Sequence, residues 1–358
     1  MAFIQTTVLG LTIFAFFIGQ IARLNLFNLQ FPLIDIAIVF LSLINFINHL
    51  TSKKLKNNNK FFTYFLIFAW TTLGITTIKY NINSLRPTFY LVRLTSILSL
   101  IIFPPQINKK TKNFFYLALF ANIIFGLIQY LFWPDFTYFD VYQWDPHLYR
   151  LVSTFFDPTF TGLIYLFFII TVFLNQNFPY RLPILTISYL AMILTYSRAT
   201  YLCFLLAFAF ISHKTKKPKI FLFSLLIITL SLFLLPRRPG EGTKLERTSS
   251  IIAKIENYHE GINLFIKSPL IGFGYNHIPF VRNNKNPISH ANSGFDGSIL
   301  TLLVTTGLIG TTLFILGLKQ LYIQSNLLKQ TFIWTILLHS LFANSLLYPW
   351  ILLSLILF

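Results

Sequence analysis

Apolar runs of about 20 residues recur along this chain from one end to the other, and that is the length a helix needs to cross the hydrocarbon core of a bilayer. This feature excludes most folds, because inside a membrane only helices and closed barrels satisfy their own backbone polar groups. Of the 358 residues, 55% are hydrophobic and 11% charged, against about 25% charged in an ordinary soluble domain. The first run, Thr6 to Ala22, has no basic segment before it and no small-residue cleavage site after it. It therefore reads as a span and not as a removed signal. The single cysteine, Cys203, lies inside an apolar run, so disulfides and thiolate metal sites are excluded.

Read against the polar breaks, the runs predict an all-α polytopic membrane protein with about twelve transmembrane helices. They fall near 4–22, 33–50, 61–79, 88–103, 114–133, 157–175, 182–196, 199–212, 219–235, 296–318, 331–344 and 346–358. One long extracytoplasmic loop with short helices, 236–295, separates a transmembrane bundle of about nine spans (1–235) from one of about three (296–358). Together they make one integral membrane domain. Lysine clusters at 53–60, 109–112 and 214–219, with Arg181, Lys319 and Lys329, fall in alternating loops. The positive-inside rule places those loops, and both termini, in the cytoplasm. Insertion thus accounts for much of the formal charge of +18, and no nucleic-acid partner is implied.

Insertion does not account for the outer basic residues. Arg23, Arg86, Arg150 and Arg198 fall in outer short loops, and Arg247, Lys254 and several more in the long loop. Guanidinium forks grip phosphate oxygens bidentately, so this set suits a phosphorylated lipid; attraction to anionic membrane lipids is the plainer alternative. Arg198, in the sequence TYSRATY, lies between two apolar runs with no acidic neighbour in sequence, a costly placement that marks function by default. Arg86 and Arg93 are seven residues apart, about two helical turns, so they share one face. Arg150 opens the stretch into the sixth span, where Asp157 before Pro158 has the form of a helix N-cap followed by proline at the first helical position.

His290 and Asp296 close the long loop. A histidine is the usual general base near neutral pH, and a carboxylate can serve where its setting raises its pKa. Asp296 also stands where a helix N-cap would. His147, His259 and His277 lack metal-ligand spacing, and no carboxylate cluster suits a hard cation, so neither a metal nor another cofactor is expected. Gly272 and Gly274 in PLIGFGYN follow no strand and read as a turn beside a short helix, not a nucleotide loop.

In their order these parts resemble the O-antigen ligase and polymerase family of bacterial envelope proteins. The resemblance rests on Lys254 and Tyr258, on Pro269–Gly274, on His290–Ser293 running into a helix that ends Gly307–Gly310, and upstream on Arg150, Phe155, Pro158 and Ser197–Arg198. It covers residues about 150–212 and 245–310. This chain has Lys254 where the family usually has arginine and Tyr258 where it has tryptophan, and counting back from Gly307 puts the family's histidine position on Asp296.

The resemblance implies a metal-independent glycosyltransferase that polymerises or transfers glycan repeat units from undecaprenyl diphosphate, on the outer face of the cytoplasmic membrane, in surface-polysaccharide biosynthesis. Arg198, Arg247, Lys254, Arg150, Arg86 and Arg93 would hold the diphosphate, and His290 or Asp296 would be the base. The partners would be the lipid-linked glycan, a glycan or lipid acceptor, and membrane lipids. A ligase handing finished glycan to a lipid or protein is the first alternative, and a lipid-linked glycan transporter or flippase the second. Transporters commonly show internal repeats and broken-helix midplane sites, and apart from Arg93 and the break near Arg198 the sequence shows neither.

Overall fold

The computed structural model describes residues 2–26, 29–51, 59–142, 145–282 and 294–358. Helix α1 (Ala2–Ile18) passes through an antiparallel hairpin, β1 (Arg23–Leu26) with β2 (Leu29–Pro32), into α2 (Leu33–Thr51). Then come α3 (Lys60–Tyr80), α4 (Leu85–Ile102) and α5 (Lys109–Phe132). A second short pair, β3 (Asp135–Phe136) with β4 (His147–Leu148), precedes α6 (Pro158–Leu174), α7 (Arg181–Ile193), α8 (Arg198–Thr215) and α9 (Pro218–Leu234). The long loop contains α10 (Ser249–Lys267) and the single turn α11 (Ile278–Val281), and α12 (Ser298–Ile323), α13 (Leu327–His339) and α14 (Pro349–Leu357) follow.

The helices begin where polar residues can cap them. Asn59, Asn108, Asp157, Ser197 and Asn326 each accept a hydrogen bond from a first-turn amide, of α3, α5, α6, α8 and α13 in turn. Such caps satisfy donors that a helix start leaves unpaired. α6 and α14 are buried along most of their lengths, as helices apolar on every side must be. Phe167 of α6 stacks on Phe332 of α13 at 4.3 Å. Outer helices instead turn large apolar side chains outward, such as Ile67, Ile75 and Ile78 on α3 and Leu222, Phe223 and Leu226 on α9. The chain is a membrane protein.

The expected twelve transmembrane helices are not found. Among the described residues five helices, α2, α3, α4, α5 and α12, are long and apolar enough to cross a membrane. Helices do occupy the apolar runs, but many are too short. α7 and α13 have 13 residues each and α14 has nine. At 1.5 Å per residue, 13 residues cover about 20 Å of a core roughly 30 Å thick. α8 starts on Arg198 and closes on His213 and Lys214. Apolarity in a run marks burial against protein as readily as against lipid, and α6 and α14 are apolar for the first reason.

Hydrogen bonds show which helix ends lie together. Gln20 N–H donates to Thr154 O (2.8 Å), Leu151 N–H to Leu194 O (2.9 Å) and Ser298 N–H to Ser340 O (3.0 Å), gathering the end that carries the long loop. At the opposite end Asn59 donates to Gly317 O (2.7 Å), Gln5 to Asn45 (2.9 Å) and Lys112 to Phe358 O (2.8 Å). That end also carries Lys109 and Lys110 in the first turn of α5 and Lys214 in the last turn of α8.

α12 is not one continuous helix. Gly307 has φ 63° and ψ −167°, a region essentially reserved for glycine. The break frees backbone groups, and the Pro269–Gly274 segment takes them up. Leu308 N–H donates to Pro269 O (2.8 Å), Ile309 N–H to Leu270 O (3.2 Å), and Phe273 N–H to Val304 O (3.0 Å). Gly272, at φ +68°, lies so close to the Thr305 carbonyl that a Cβ would come within 2.6 Å of its oxygen. The glycines of the two segments thus allow two backbones to meet, and the turn is joined to α12 as well as lying beside α10.

Candidate functional site

The break between α7 and α8, the connection before α6, and the long loop converge at one place. Arg150 is buried there, donating through Nε to Thr195 O (3.0 Å) and through Nη2 to Tyr196 O (3.5 Å). Tyr196 adopts a left-handed backbone (φ 51°), which turns the chain out of α7 before Ser197 caps α8. Arg198, first residue of α8, donates to Leu245 O (3.1 Å), Arg247 O (2.9 Å) and Ser250 Oγ (2.7 Å). Arg247 in turn donates to Gly242 O (2.6 Å) and Lys244 O (2.9 Å). Lys254 on α10 donates to Phe342 O (2.7 Å). Among the described residues no carboxylate lies within salt-bridge distance of Arg150, Arg198 or Arg247. Carbonyl dipoles hold these cations in place without cancelling their charge.

The crowding of like charge is visible in the titrating groups. Burial, and then the Arg247 charge, pull the Arg150 guanidinium down to about 10. Burial and Arg198 lower Arg247. Burial, followed by Arg150 and Arg247, pulls His147 down to about 3, so His147 is neutral at pH 7. On the acidic side Asp157 is the α6 N-cap, accepting from Thr159 N–H (2.6 Å) and Phe160 N–H (3.1 Å). Burial raises its pKa against those two bonds. Asp145 is raised too, by surrounding protein and then by the carboxylates of Asp157 and Asp296, with Arg150 and Lys254 opposing.

Asp296 is not the cap of α12; that position is Gly297, which makes no side-chain cap bond. The Asp296 backbone N–H donates to Asn257 Oδ1 (2.8 Å), and its half-exposed carboxylate stands 3.7 Å from Lys254 Nζ. The Tyr258 hydroxyl donates to Leu341 O (2.7 Å). Phe295 is covered by Arg282, which pairs with Glu260 (2.8 Å) and lies 4.2 Å over the ring. Two helices and a clamp thus fix the backbone that presents Asp296. His290 lies outside the described residues. His277 is buried, with Nε2 2.8 Å from Ser84 Oγ and Nδ1 3.1 Å from Thr76 Oγ1, and ties the Gly274 turn to α3 and α4.

Residues 183–315 match the O-antigen ligase family. The resemblance seen in the sequence is shown over that segment, which is less than half of the chain. No curated protein matches the chain. The matched segment contains Arg198, Arg247, Lys254 and Asp296, as well as Pro269–Gly274 and Gly307. It begins after Arg150, which the fold brings back to the same cluster.

Arg86 and Arg93 lie elsewhere. Both face the ring of Tyr90, at 5.9 and 4.6 Å, so they share a face of α4 as their spacing predicted. Arg93 also pairs with Asp35 at 3.2 Å. Asp35 is 58 residues away in sequence, so nothing local pointed to it. Nor did the sequence reading single out Asp145, Gln20, Arg282 or Tyr348, whose relevance comes only from long-range packing.

Proposed function

We propose that this protein transfers or polymerises glycan units from an undecaprenyl-diphosphate-linked donor, without a metal, at the loop end of the bundle. The observation that carries the reading is that Arg150, Arg198 and Arg247 gather at one place held by carbonyls and not by carboxylates, with Lys254 of α10 bonded to the Phe342 carbonyl and paired with Asp296. Cations fixed before the reaction stabilise charge that develops on a leaving group without reorganisation at the moment of reaction. An acceptor hydroxyl oxygen attacks the anomeric carbon and the bond to the diphosphate oxygen breaks. The diphosphate leaves with the electron pair, against the cations. Asp296, free of any capping duty, accepts the hydroxyl proton; His290 is the other candidate for that role. Arg86 and Arg93 extend the basic surface toward α4.

The loop end then faces outward from the cytoplasmic membrane. Supporting this, Gln5 and Phe358 lie at the lysine-bearing end, the end the positive-inside rule retains in the cytoplasm. Chain extension and handover to a lipid or protein acceptor share this chemistry and differ in the acceptor. The surface-glycan profile of a deletion strain separates them. Single-repeat chains mean polymerase, and unattached lipid-linked polymer means ligase. An unchanged profile overturns the enzymatic reading. Asp296→Asn compared with His290→Ala identifies the base.

A further inference from the structure

α10 belongs to the long loop, yet its C-terminal end reaches membrane depth. α12 has 26 residues, a rise of about 39 Å against a hydrocarbon core of about 30 Å. Leu308 stands about 15 Å along that helix. Even with the whole excess of about 9 Å placed at the loop end, Leu308 lies about 6 Å inside the core. The Pro269 and Leu270 carbonyls accept from Leu308 and Ile309 and therefore share its depth. Non-helical backbone is tolerated at such a depth only where protein satisfies it, as α12 does for this turn. α10 ends at Lys267, directly before the turn.

Around its axis α10 divides into three sectors, at about 100° per residue. The first is the seam with the rest of the chain. There Lys254 and Tyr258 bond to the Phe342 and Leu341 carbonyls, Asn257 holds the Asp296 amide, and Gly261 and Leu264 are buried. The second is polar, with Glu256, Asn263, Lys267 and Glu260, the partner of Arg282. The third is a stripe about 60° wide made of Ile251, Ile255, Ile262 and Ile266, each between 46% and 65% exposed. A contiguous exposed apolar patch marks a partner or a membrane.

The stripe does not stop at the end of the helix. Leu270, four residues beyond Ile266, is exposed, as is Ile271. They meet Leu308 and Ile309, also exposed, on α12, a helix long and apolar enough to cross a membrane. The lipid-facing surface of that helix thus runs onto the isoleucines of α10.

We infer that α10 is an interfacial helix whose isoleucine stripe lies among the acyl chains of the leaflet at the loop end. The occupant of the stripe is the lipid surface. The Glu256–Lys267 side stays in water, and the C-terminal end of the helix is the deeper one. Amphipathic helices with one apolar and one charged side lie in the interface in this way. The bilayer then seats from one side the helix that presents Lys254, Asn257 and Tyr258 from the other. This placement stands apart from the proposed reaction and holds whichever chemistry the loop end performs.

The test uses nitroxide labels on single cysteines in the full chain, on a Cys203→Ser background, in phosphatidylcholine nanodiscs. Power saturation with oxygen and with an aqueous nickel chelate reads the depth of each label. Labels at Ile255→Cys and Ile266→Cys are expected about 5–10 Å below the headgroup boundary, with Ile266→Cys the deeper, and labels at Glu256→Cys and Asn263→Cys in water. Nickel reaching the stripe labels as readily as the polar ones overturns the inference. Stripe labels shielded from both oxygen and nickel mean that protein covers the face, a second copy or another chain, and overturn it too. If the labelled chains do not fold, unlabelled wild type in phosphatidylcholine with a diazirine on the acyl chain decides. Crosslinks to α10 peptides are expected there, and their absence refutes the lipid seat.

Discussion

Gly307→Ala is the most direct test of how the long loop is joined to α12. At φ 63° and ψ −167° an alanine is strained by about 1–3 kcal/mol. Its methyl would fall on the Leu270 carbonyl carbon and oxygen, which are backbone atoms with no rotamer to escape into. The two segments must separate, breaking Leu308 N–H to Pro269 O and Ile309 N–H to Leu270 O. Each buried amide left unpaired costs about 1–3 kcal/mol. Strain and lost bonds together come to about 3–9 kcal/mol, which at 1.4 kcal/mol per decade is about two to six decades of protection. Hydrogen exchange at Leu308, Ile309 and Phe273 in detergent reads this locally, and glycan transfer reads it functionally. Gly74→Ala is the control, since nothing lies within 4 Å of a Cβ in the middle of α3. It is expected to stabilise by up to about 1 kcal/mol. If Gly307→Ala keeps its amide protection as Gly74→Ala does, the joint between the two segments is not what holds the loop.

Three further outcomes follow from the site. Asp296→Asn is expected to lose about two to four decades in transfer rate, while stability moves by less than about 1 kcal/mol, because its pair with Lys254 is partly exposed; wild-type turnover would remove Asp296 from the mechanism. Tyr258→Phe gives up the bond to Leu341 O, a net loss of about 0.5–1.5 kcal/mol in thermal unfolding, and no change would mean the bond is not formed in the membrane. His147 has a folded pKa depressed to about 3 from 6.5, so its contribution is complete above pH 6.5. It falls away as pH drops toward 3, where the unfolded chain takes up the proton first, at up to about 1.4 kcal/mol per pH unit. His147→Gln is therefore expected to lose less stability than wild type between pH 7 and 4, and parallel curves would contradict the buried neutral histidine.

Helix positions were readable because polar breaks and caps are local signals. Asn59, Asn108 and Asp157 stand directly before the helices they cap. The number of membrane-crossing helices was not readable, since α6 and α14 are apolar for burial against other helices, and α7 and α13 stop after 13 residues. At the site, Arg198, Arg247 and Lys254 were identifiable as charges that insertion leaves unexplained. Their anchoring was not, because a carbonyl acceptor can belong to any residue type and leaves no trace in sequence. The Arg93–Asp35 pair and the Gln20–Tyr348 contact join positions 58 and 328 residues apart, beyond the reach of any spacing rule. The glycines of Pro269–Gly274 were visible as a turn, and their role emerges only from the break at Gly307 on the helix they meet.

The way Arg198 is held also determines how this part of the chain can vary. Its partners in the loop are the carbonyls of Leu245 and Arg247, with only Ser250 contributing a side chain. An ion pair can be inverted by exchanging its two members; an arginine read by main-chain oxygens has no member to exchange. Arg198→Glu would set a carboxylate against two carbonyl oxygens, which a charge exchange does not relieve, and Arg198→Lys, with a single ammonium in place of a planar fork, cannot reach all three acceptors. The loop has the opposite freedom. Side chains at Leu245 and Lys244 can drift while the path of the backbone is kept, so a segment that looks poorly constrained in sequence still holds the arginine rigidly.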